Sequence, residues 1–395
     1  MTEKVLARLS DDQNSNSNKI ERAIATLDNS TADAVGLPAM AYTSEDFLDR
    51  ERRTVFTNHW VCVGIGSDLP NFGDLVPVEV AGMPIMLVRD RSSKIRAFHN
   101  ICSHRGLQLV TQPCQQQKLI RCPYHSWSYA LDGELKSTPH FGGYWQDTYE
   151  GFDRASKNLQ SIKCEQWLDL IFINLVGNAP PLEDYLQPVI ERWSDYDLSL
   201  LSHGRDLSFE FDANWKLAVE NFSESYHLPW VHPQLNNCSR MEDHFGFEVG
   251  ENHVGQGSKL YRIGAMGDLT LPVFPNLPES RETVAEYISV FPNLMLGIHP
   301  DYFLALTVNP LSPTRSVERM SFYFIGDGAT SIEYEALRQI PIDLWKITNE
   351  EDLETIERLQ KGRKSPAFDG GCFSPALETT VHQFQRLVAK AIANK

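Results

Sequence analysis

Between Asn214 and His232 the chain reads Asn-Trp-Lys-Leu-Ala-Val-Glu-Asn-Phe-Ser-Glu-Ser-Tyr-His-Leu-Pro-Trp-Val-His. The stretch holds two imidazoles, His227 and His232, and one acid, Glu224, three residues before the first of them. Two imidazoles so placed, with a carboxylate from elsewhere, can hold one ferrous ion by one face and leave the other face open for oxygen. Apolar and polar residues from Trp215 to Tyr226 recur at helical spacing, which predicts a helix with Glu224 and His227 one turn apart on one face. His232 lies five residues further on, where a straight helix would rotate it off that face. Pro229 lacks an N–H and clashes with the carbonyl four back, so the helix is expected to kink or end there and let His232 swing back. Taken alone, two histidines with a proline between them are an ordinary coincidence. The weight comes from a second constellation.

That constellation is Cys102-Ser-His104, then seventeen residues, then Cys122-Pro-Tyr-His125. Two matching Cys/His pairs call for a soft metal centre. A zinc site of two Cys and two His is one option. The spacing instead fits a Rieske cluster, in which two Cys bind one iron and two His bind the other. Gly106 lets the first loop turn tightly and Pro123 stiffens the second. Neutral histidine ligands raise the cluster potential relative to four thiolates, which suits passing electrons to an oxygen-activating iron. Cys62, Cys114, Cys164, Cys238 and Cys372 read as bystanders, small apolar residues with no framework of disulfides.

Elements must position these groups. Ser44 opens a helix running through Leu48 to Phe56. From Trp60 the texture changes to short strands and turns: Leu75 to Val80, Met83 to Val88, Ile95 to Ile101, and a closing strand from Trp167 to Leu175. Gly177 to Pro181 reads as a linker and Glu183 to Tyr196 as a helix. His203 to Phe211 starts a second sheet, and residues 245 to 330 alternate as antiparallel strands. A Gly/Pro-rich insertion from Gly264 to Glu279 is expected to overhang the site, with Phe291 to Met295 and Phe303 to Val308 as its floor. Thr348-Asn-Glu-Glu351 looks like a capping box opening a helix through Gln360. Three parts follow: 1–57, a polar arm and a helix packing on the catalytic domain; 58–177, an all-β metal-cluster domain; and 178–395, the catalytic domain. The fold class expected is α+β.

The chain has 395 residues, 42% hydrophobic and 22% charged, enough for a proper core. A net charge of −16 disfavours nucleic acid as a partner. No apolar run approaches membrane-span length, and the first residues lack a basic-plus-apolar signal segment. With the cysteine pattern, this predicts a cytoplasmic protein that does not enter a membrane.

The paired motifs resemble the alpha subunit of the Rieske non-heme iron oxygenases, the ring-hydroxylating dioxygenase family. Leu37-Pro-Ala-Met-Ala-Tyr42, Trp60-Val-Cys-Val-Gly64, Gly73-Asp74, Ala97-Phe-His-Asn100, Cys102-Ser-His-Arg-Gly106 and Cys122-Pro-Tyr-His-Ser-Trp-Ser-Tyr129 all carry the likeness. Ser126 departs from it, standing where the family usually has Gly and placing a hydroxyl next to His125. The resemblance implies a catalytic domain of helix-grip type. It makes Cys102, His104, Cys122 and His125 the cluster ligands, and makes Asp352, in the helix after Thr348, the third iron ligand beside His227 and His232. Spacing alone does not separate Asp352 from Glu350, Glu351 or Glu354, because acids at a helix start are usually dipole partners. The family pattern also places Asn221 and Glu224 in the catalytic machinery. Glu224 would orient a ligand imidazole and bridge to the cluster histidine of a neighbouring subunit. Electrons would come from NAD(P)H through a separate reductase or ferredoxin, O2 would be the co-substrate, and head-to-tail homotrimers are implied.

The motif Glu220-Asn-x-x-Glu224-x-Tyr-His227 is shorter by one residue than in arene dioxygenases, which usually carry Asp at the second acid. It resembles the branch acting on quaternary ammonium compounds: choline, carnitine and betaine oxygenases. A methylammonium group would be held over aromatic faces by cation–π attraction, with Trp230, Tyr261, Phe274, Tyr287, Phe291, Tyr302 and Phe303 as candidate walls. The leading expectation is N-demethylation or C-hydroxylation of such a compound. An aromatic ring-hydroxylating dioxygenase is the alternative, and an electron-transfer Rieske protein without catalysis is a third reading, opposed by the second iron motif.

Overall fold

The computed structural model describes residues 21, 25–237, 239–262 and 264–393. Most of the expected N-terminal arm, and Cys238, lie outside the described residues. The chain divides into two compact units, one of residues 56–186 and one of residues 1–55 with 187–395.

The first unit is built from strands. A six-stranded antiparallel sheet runs in the order Val61–Ile65, Leu170–Asn174, Ser161–Trp167, Ile95–His99, Met83–Arg89, Leu75–Val80. A three-stranded sheet of Ile120–Arg121, Ser128–Tyr129 and Leu135–Ser137 carries the second Cys/His loop. The expected closing strand from Trp167 to Leu175 begins only at Leu170, and Trp167 ends the strand before it. Leu168 turns the chain between them with φ +53°, in the left-handed region that suits a tight hairpin. Leu75, Met86, Val88, Phe98, Trp127, Tyr129 and Leu135 form one buried cluster that also contains Cys102 and Cys122, so both thiols sit on packed hydrophobic ground.

The second unit centres on a seven-stranded antiparallel sheet: Leu201–Phe211, Arg315–Ile325, Tyr302–Ser312, Leu294–Ile298, Ala285–Val290, His253–Ser258, His244–Glu248. Its central strand, Leu294–Ile298, is buried along its whole length. A strand buried on both faces reads as a continuous apolar run rather than an alternation. The expected strand from Phe291 begins only at Leu294, because Phe291 to Asn293 forms a turn. Helix Trp215–Phe222 packs against helices Glu335–Gly362 and Thr379–Ala393 and against the strands Tyr302–Ser312 and Arg315–Ile325. It is pinned by a buried ion pair, Lys216 Nζ to Glu51 Oε1 at 2.6 Å, and by Tyr42 donating to Glu220 at 2.7 Å.

The expected helix from Thr348 is much longer. It runs Glu335–Gly362, 28 residues, and Thr348 and Asn349 are buried within it rather than capping it. A capping box needs the chain to be extended before it. Here the upstream residues continue the helix, with Leu337, Pro341 and Ile342 on its buried face.

Candidate metal centres

Asn214 caps the helix Trp215–Phe222, its side chain accepting from the Lys216 N–H at 3.1 Å. The helix stops at Phe222, short of the expected Tyr226. Ser223 Oγ donates to the Val219 carbonyl at 2.6 Å. The Glu224 carboxylate then takes the N–H groups of Tyr226 and His227, which a continuing helix would have used. Glu224 and His227 therefore lie in a loop, not on a helix face. Pro229 likewise starts the short helix Leu228–Val231 instead of ending one, a position where its missing N–H costs nothing.

This loop and short helix bring His232 beside His227, ring centroids 5.1 Å apart. Asp352, halfway along the long helix, meets both. Its Oδ1 lies 2.8 Å from His232 Nε2 and 3.5 Å from His227 Nε2. One ligand atom from each of the three residues lies within 4.8 Å of the others. Behind each imidazole stands an acid: Glu224 Oε1 is 2.6 Å from His227 Nδ1, and Glu351 Oε2 is 2.7 Å from His232 Nδ1. Burial opposes protonation of both rings, but the carboxylates outweigh it and hold both above the ordinary histidine range. Two imidazoles and one carboxylate with this convergence could hold one divalent ion, each ring steered by its own acid.

A cavity of about 150 Å³ opens over these groups. Asn221, Phe222, Tyr261, Tyr287, His299, Tyr302 and Trp345 line it together with the three. Of the aromatic residues expected there, Tyr261, Tyr287 and Tyr302 are present. Trp230 is 78% exposed, and Phe274, Phe291 and Phe303 are core residues outside the lining. The insertion from Gly264 to Glu279 contributes no lining residue among those described. Leu260, Tyr261 and Arg262, just before it, do. Met295 and Leu306, from the expected floor, line instead a second cavity of about 30 Å³ beside Asp352, Asn221, Asn349 and Glu318. Burial, with the charge of Asp352 adding, pushes the Glu318 carboxyl up to about 8.

The two Cys/His loops repeat one geometry. Cys102 N–H donates to Leu107 O and Cys122 N–H to Trp127 O, both at 2.8 Å. Gly106 N–H returns to Cys102 O at 2.9 Å and Ser126 N–H to Cys122 O at 3.0 Å. Gly106 and Ser126 both have positive φ, +72° and +62°. That is why glycine is favoured at this loop position, and Ser126 occupies it at some strain. The Ser126 hydroxyl does not turn to the histidine. It accepts from Arg121 at 3.0 Å. Both thiols are buried, and the imidazoles pair at 4.7 Å between centroids, with His104 stacked on Trp127 at 4.8 Å. Tyr129 OH lies 3.1 Å from Cys102 Sγ. Burial lowers the His104 pKa, and the neighbouring His125 and Arg105 lower it further. Thiols paired on the packed side and imidazoles paired on the open side suit a two-iron cluster better than one tetrahedral ion.

Residues 59–150 match the Rieske [2Fe-2S] domain, and residues 198–394 match the ring hydroxylating alpha subunit (catalytic domain). The chain belongs to the Rieske non-heme iron oxygenases. As a Rieske oxygenase it is an oxidoreductase that takes a [2Fe-2S] cluster in one domain and a non-heme iron in the other. The carnitine monooxygenase oxygenase subunit of Escherichia coli strain K12 is 28% identical over 343 residues, 85% of this chain and 86% of that one. The glycine betaine monooxygenase oxygenase subunit of Chromohalobacter salexigens is 26% identical over 382 residues, 88% and 84% of the two chains. A solved quaternary ammonium Rieske monooxygenase superposes with a TM-score of 0.77 at 25% identity, covering 93% of this chain and 98% of that one.

Three residues of this Rieske oxygenase's site escaped sequence reasoning. Glu351 was one of four acids that spacing could not tell apart. Trp345 lies seven residues before Asp352, two turns away on the same helix face, a signal lost once the helix was started at Thr348. His299 sits in the turn between two strands, a place that pattern alone gives to solvent.

Proposed function

We propose that this chain is the oxygenase component of a system that oxidises a small quaternary ammonium compound, by N-demethylation or C-hydroxylation. The observation that carries the reading is the aromatic wall of Tyr261, Tyr287, Tyr302 and Trp345 in the cavity over His227, His232 and Asp352. A quaternary ammonium group has no N–H to donate, so ring faces are its natural receptors. The shortened Glu220-to-Glu224 motif and the printed substrates of the two relatives point the same way.

His227, His232 and Asp352 would hold the iron, and Cys102, His104, Cys122 and His125 would hold the cluster. When bound, these groups supply stored electrons and reductive activation of O2. The chain's own residues do the rest. Glu224 accepts the Nδ1 proton of His227 and Glu351 that of His232, so each ring keeps its Nε2 lone pair turned inward. Asn221 borders both cavities at the reacting end. The aromatic wall binds and orients the substrate and keeps water from the carbon to be oxidised. Residues 58–177 form the cluster domain and 178–395 the catalytic domain, and the described residues of 1–57 form a segment that packs on the latter. Electrons arrive from NAD(P)H through a separate reductase, and Glu224 serves a head-to-tail trimer. No helix of the described chain is long and apolar enough to cross a membrane.

The test is product analysis. The protein with a compatible reductase, NADH and O2 is offered betaines, choline and carnitine beside simple arenes. Formaldehyde or a hydroxylated amine is expected. Turnover of arenes alone would assign the cavity to a flat apolar ring.

A further inference from the structure

Behind the aromatic wall lies a carboxylate that the reaction as described does not use. The strands Leu294–Ile298 and Tyr302–Ser312 are joined by the tight turn His299-Pro300-Asp301-Tyr302, closed by the His299 N–H donating to the Tyr302 carbonyl at 2.9 Å. Pro300 presets the turn, and the chain reversal buries Asp301 to 1% exposure. Its Oδ1 accepts the hydroxyl of Tyr261 at 2.8 Å, and Tyr261 lines the cavity. Among the described residues, the groups around it are phenols and an imidazole. Tyr302 lies 6.2 Å and His299 4.7 Å from Tyr261 between ring centroids. Burial drives the His299 pKa down to about 3, so that ring adds no positive charge at neutral pH. Arg262 also lines the cavity but is exposed. Burial raises the Asp301 carboxyl to about 6, which leaves it largely ionised at pH 7.

A buried carboxylate without a cationic partner is costly, and a ligand cation nearby would offset that cost. We propose that Asp301 is the counter-charge for the substrate's ammonium group and acts through Tyr261. The carboxylate draws on the phenolic O–H, enriches the ring, and strengthens its hold on a cation in the cavity. Asp301 is thus a positioning residue that sets specificity for charge, while the aromatic wall alone would accept any group of that shape. The inference rests on the ammonium reading of the same cavity.

The experiment measures binding to the holoprotein of glycine betaine and of the tert-butyl acid in which carbon replaces its nitrogen, with choline and its tert-butyl alcohol as a second pair. Wild type is expected to prefer each cation over its isostere. Asp301→Asn is expected to weaken the cations about tenfold and the isosteres less than about twofold. Tyr261→Phe keeps the ring and removes the hydrogen bond. It should show the same selective loss, and it decides the matter if the Asp301 variant does not fold. Equal weakening of cation and isostere, or no weakening, with the wild-type preference intact overturns the role of Asp301 alone. A wild type that prefers neither cation overturns the ammonium reading and this inference with it.

Discussion

The two candidate metal-binding regions are built in opposite ways. The Cys/His loops are local and duplicated: each is a short turn whose own backbone hydrogen bonds fix a thiol and an imidazole two or three residues apart. The His/His/Asp site is assembled across the chain, with His232 and Asp352 separated by 120 positions and meeting at 2.8 Å. The first geometry is held by its loops and the hydrophobic bed beneath them. The second depends on helix packing, and each imidazole needs a carboxylate to hold its angle. A local site should therefore be robust to distant changes and sensitive to single backbone positions. A tertiary site should be sensitive to the side chains behind its ligands.

The largest effect tests the independence of the two regions. His232→Ala should remove the mononuclear iron and all turnover while leaving the visible spectrum of the cluster unchanged. Cys122→Ser should do the reverse, abolishing the cluster spectrum with iron retained in the catalytic domain. Metal analysis with absorption spectroscopy separates these outcomes, and joint loss of both centres from either variant breaks the comparison.

Next in size are the steering acids. Glu224→Gln and Glu351→Gln should each lower iron affinity or turnover by about 10- to 100-fold. The loss should be greater for Glu224, whose side chain is 11% exposed against 39% for Glu351. Equilibrium dialysis against a chelator ranks them, and an equal ranking would mean that solvent does not weaken the Glu351 contact.

Smaller effects belong to the loops. Ser126→Gly should stabilise the cluster domain by about 1 kcal/mol by relieving the left-handed serine, less whatever the Arg121 contact contributes. Gly106→Ala should destabilise it by a similar amount. Thermal unfolding of the two variants should thus move in opposite directions from wild type.

The last effect appears only in acid. Burial depresses His253, on a strand of the catalytic sheet, to about 4. Its neutral form is favoured by folding. The stability it contributes is complete above its unfolded value near 6.5 and is lost as pH falls through about 4. His253→Leu should flatten this acid limb of the melting-temperature profile, and an unchanged slope would show that the ring is not kept neutral by the fold.

Many of the strand positions and both histidine motifs could be read along the chain, because alternation and short spacing are properties of neighbouring residues. Helix ends are set by contacts that the local sequence does not show. Trp215–Phe222 stops early because the Glu224 carboxylate captures two backbone N–H groups, and Glu335–Gly362 starts early because tertiary burial overrides an apparent cap. The sequence by itself determined the residue types at both candidate metal centres, the twin loops, and the need for a carboxylate from elsewhere. Only the tertiary structure set Asp352 against His232, stood Glu351 behind it, turned Trp345 and His299 into the cavity, and buried Asp301 behind Tyr261. These groups lie far apart along the chain, and no local propensity encodes which of them the packing of helices on a sheet will bring within hydrogen-bond reach.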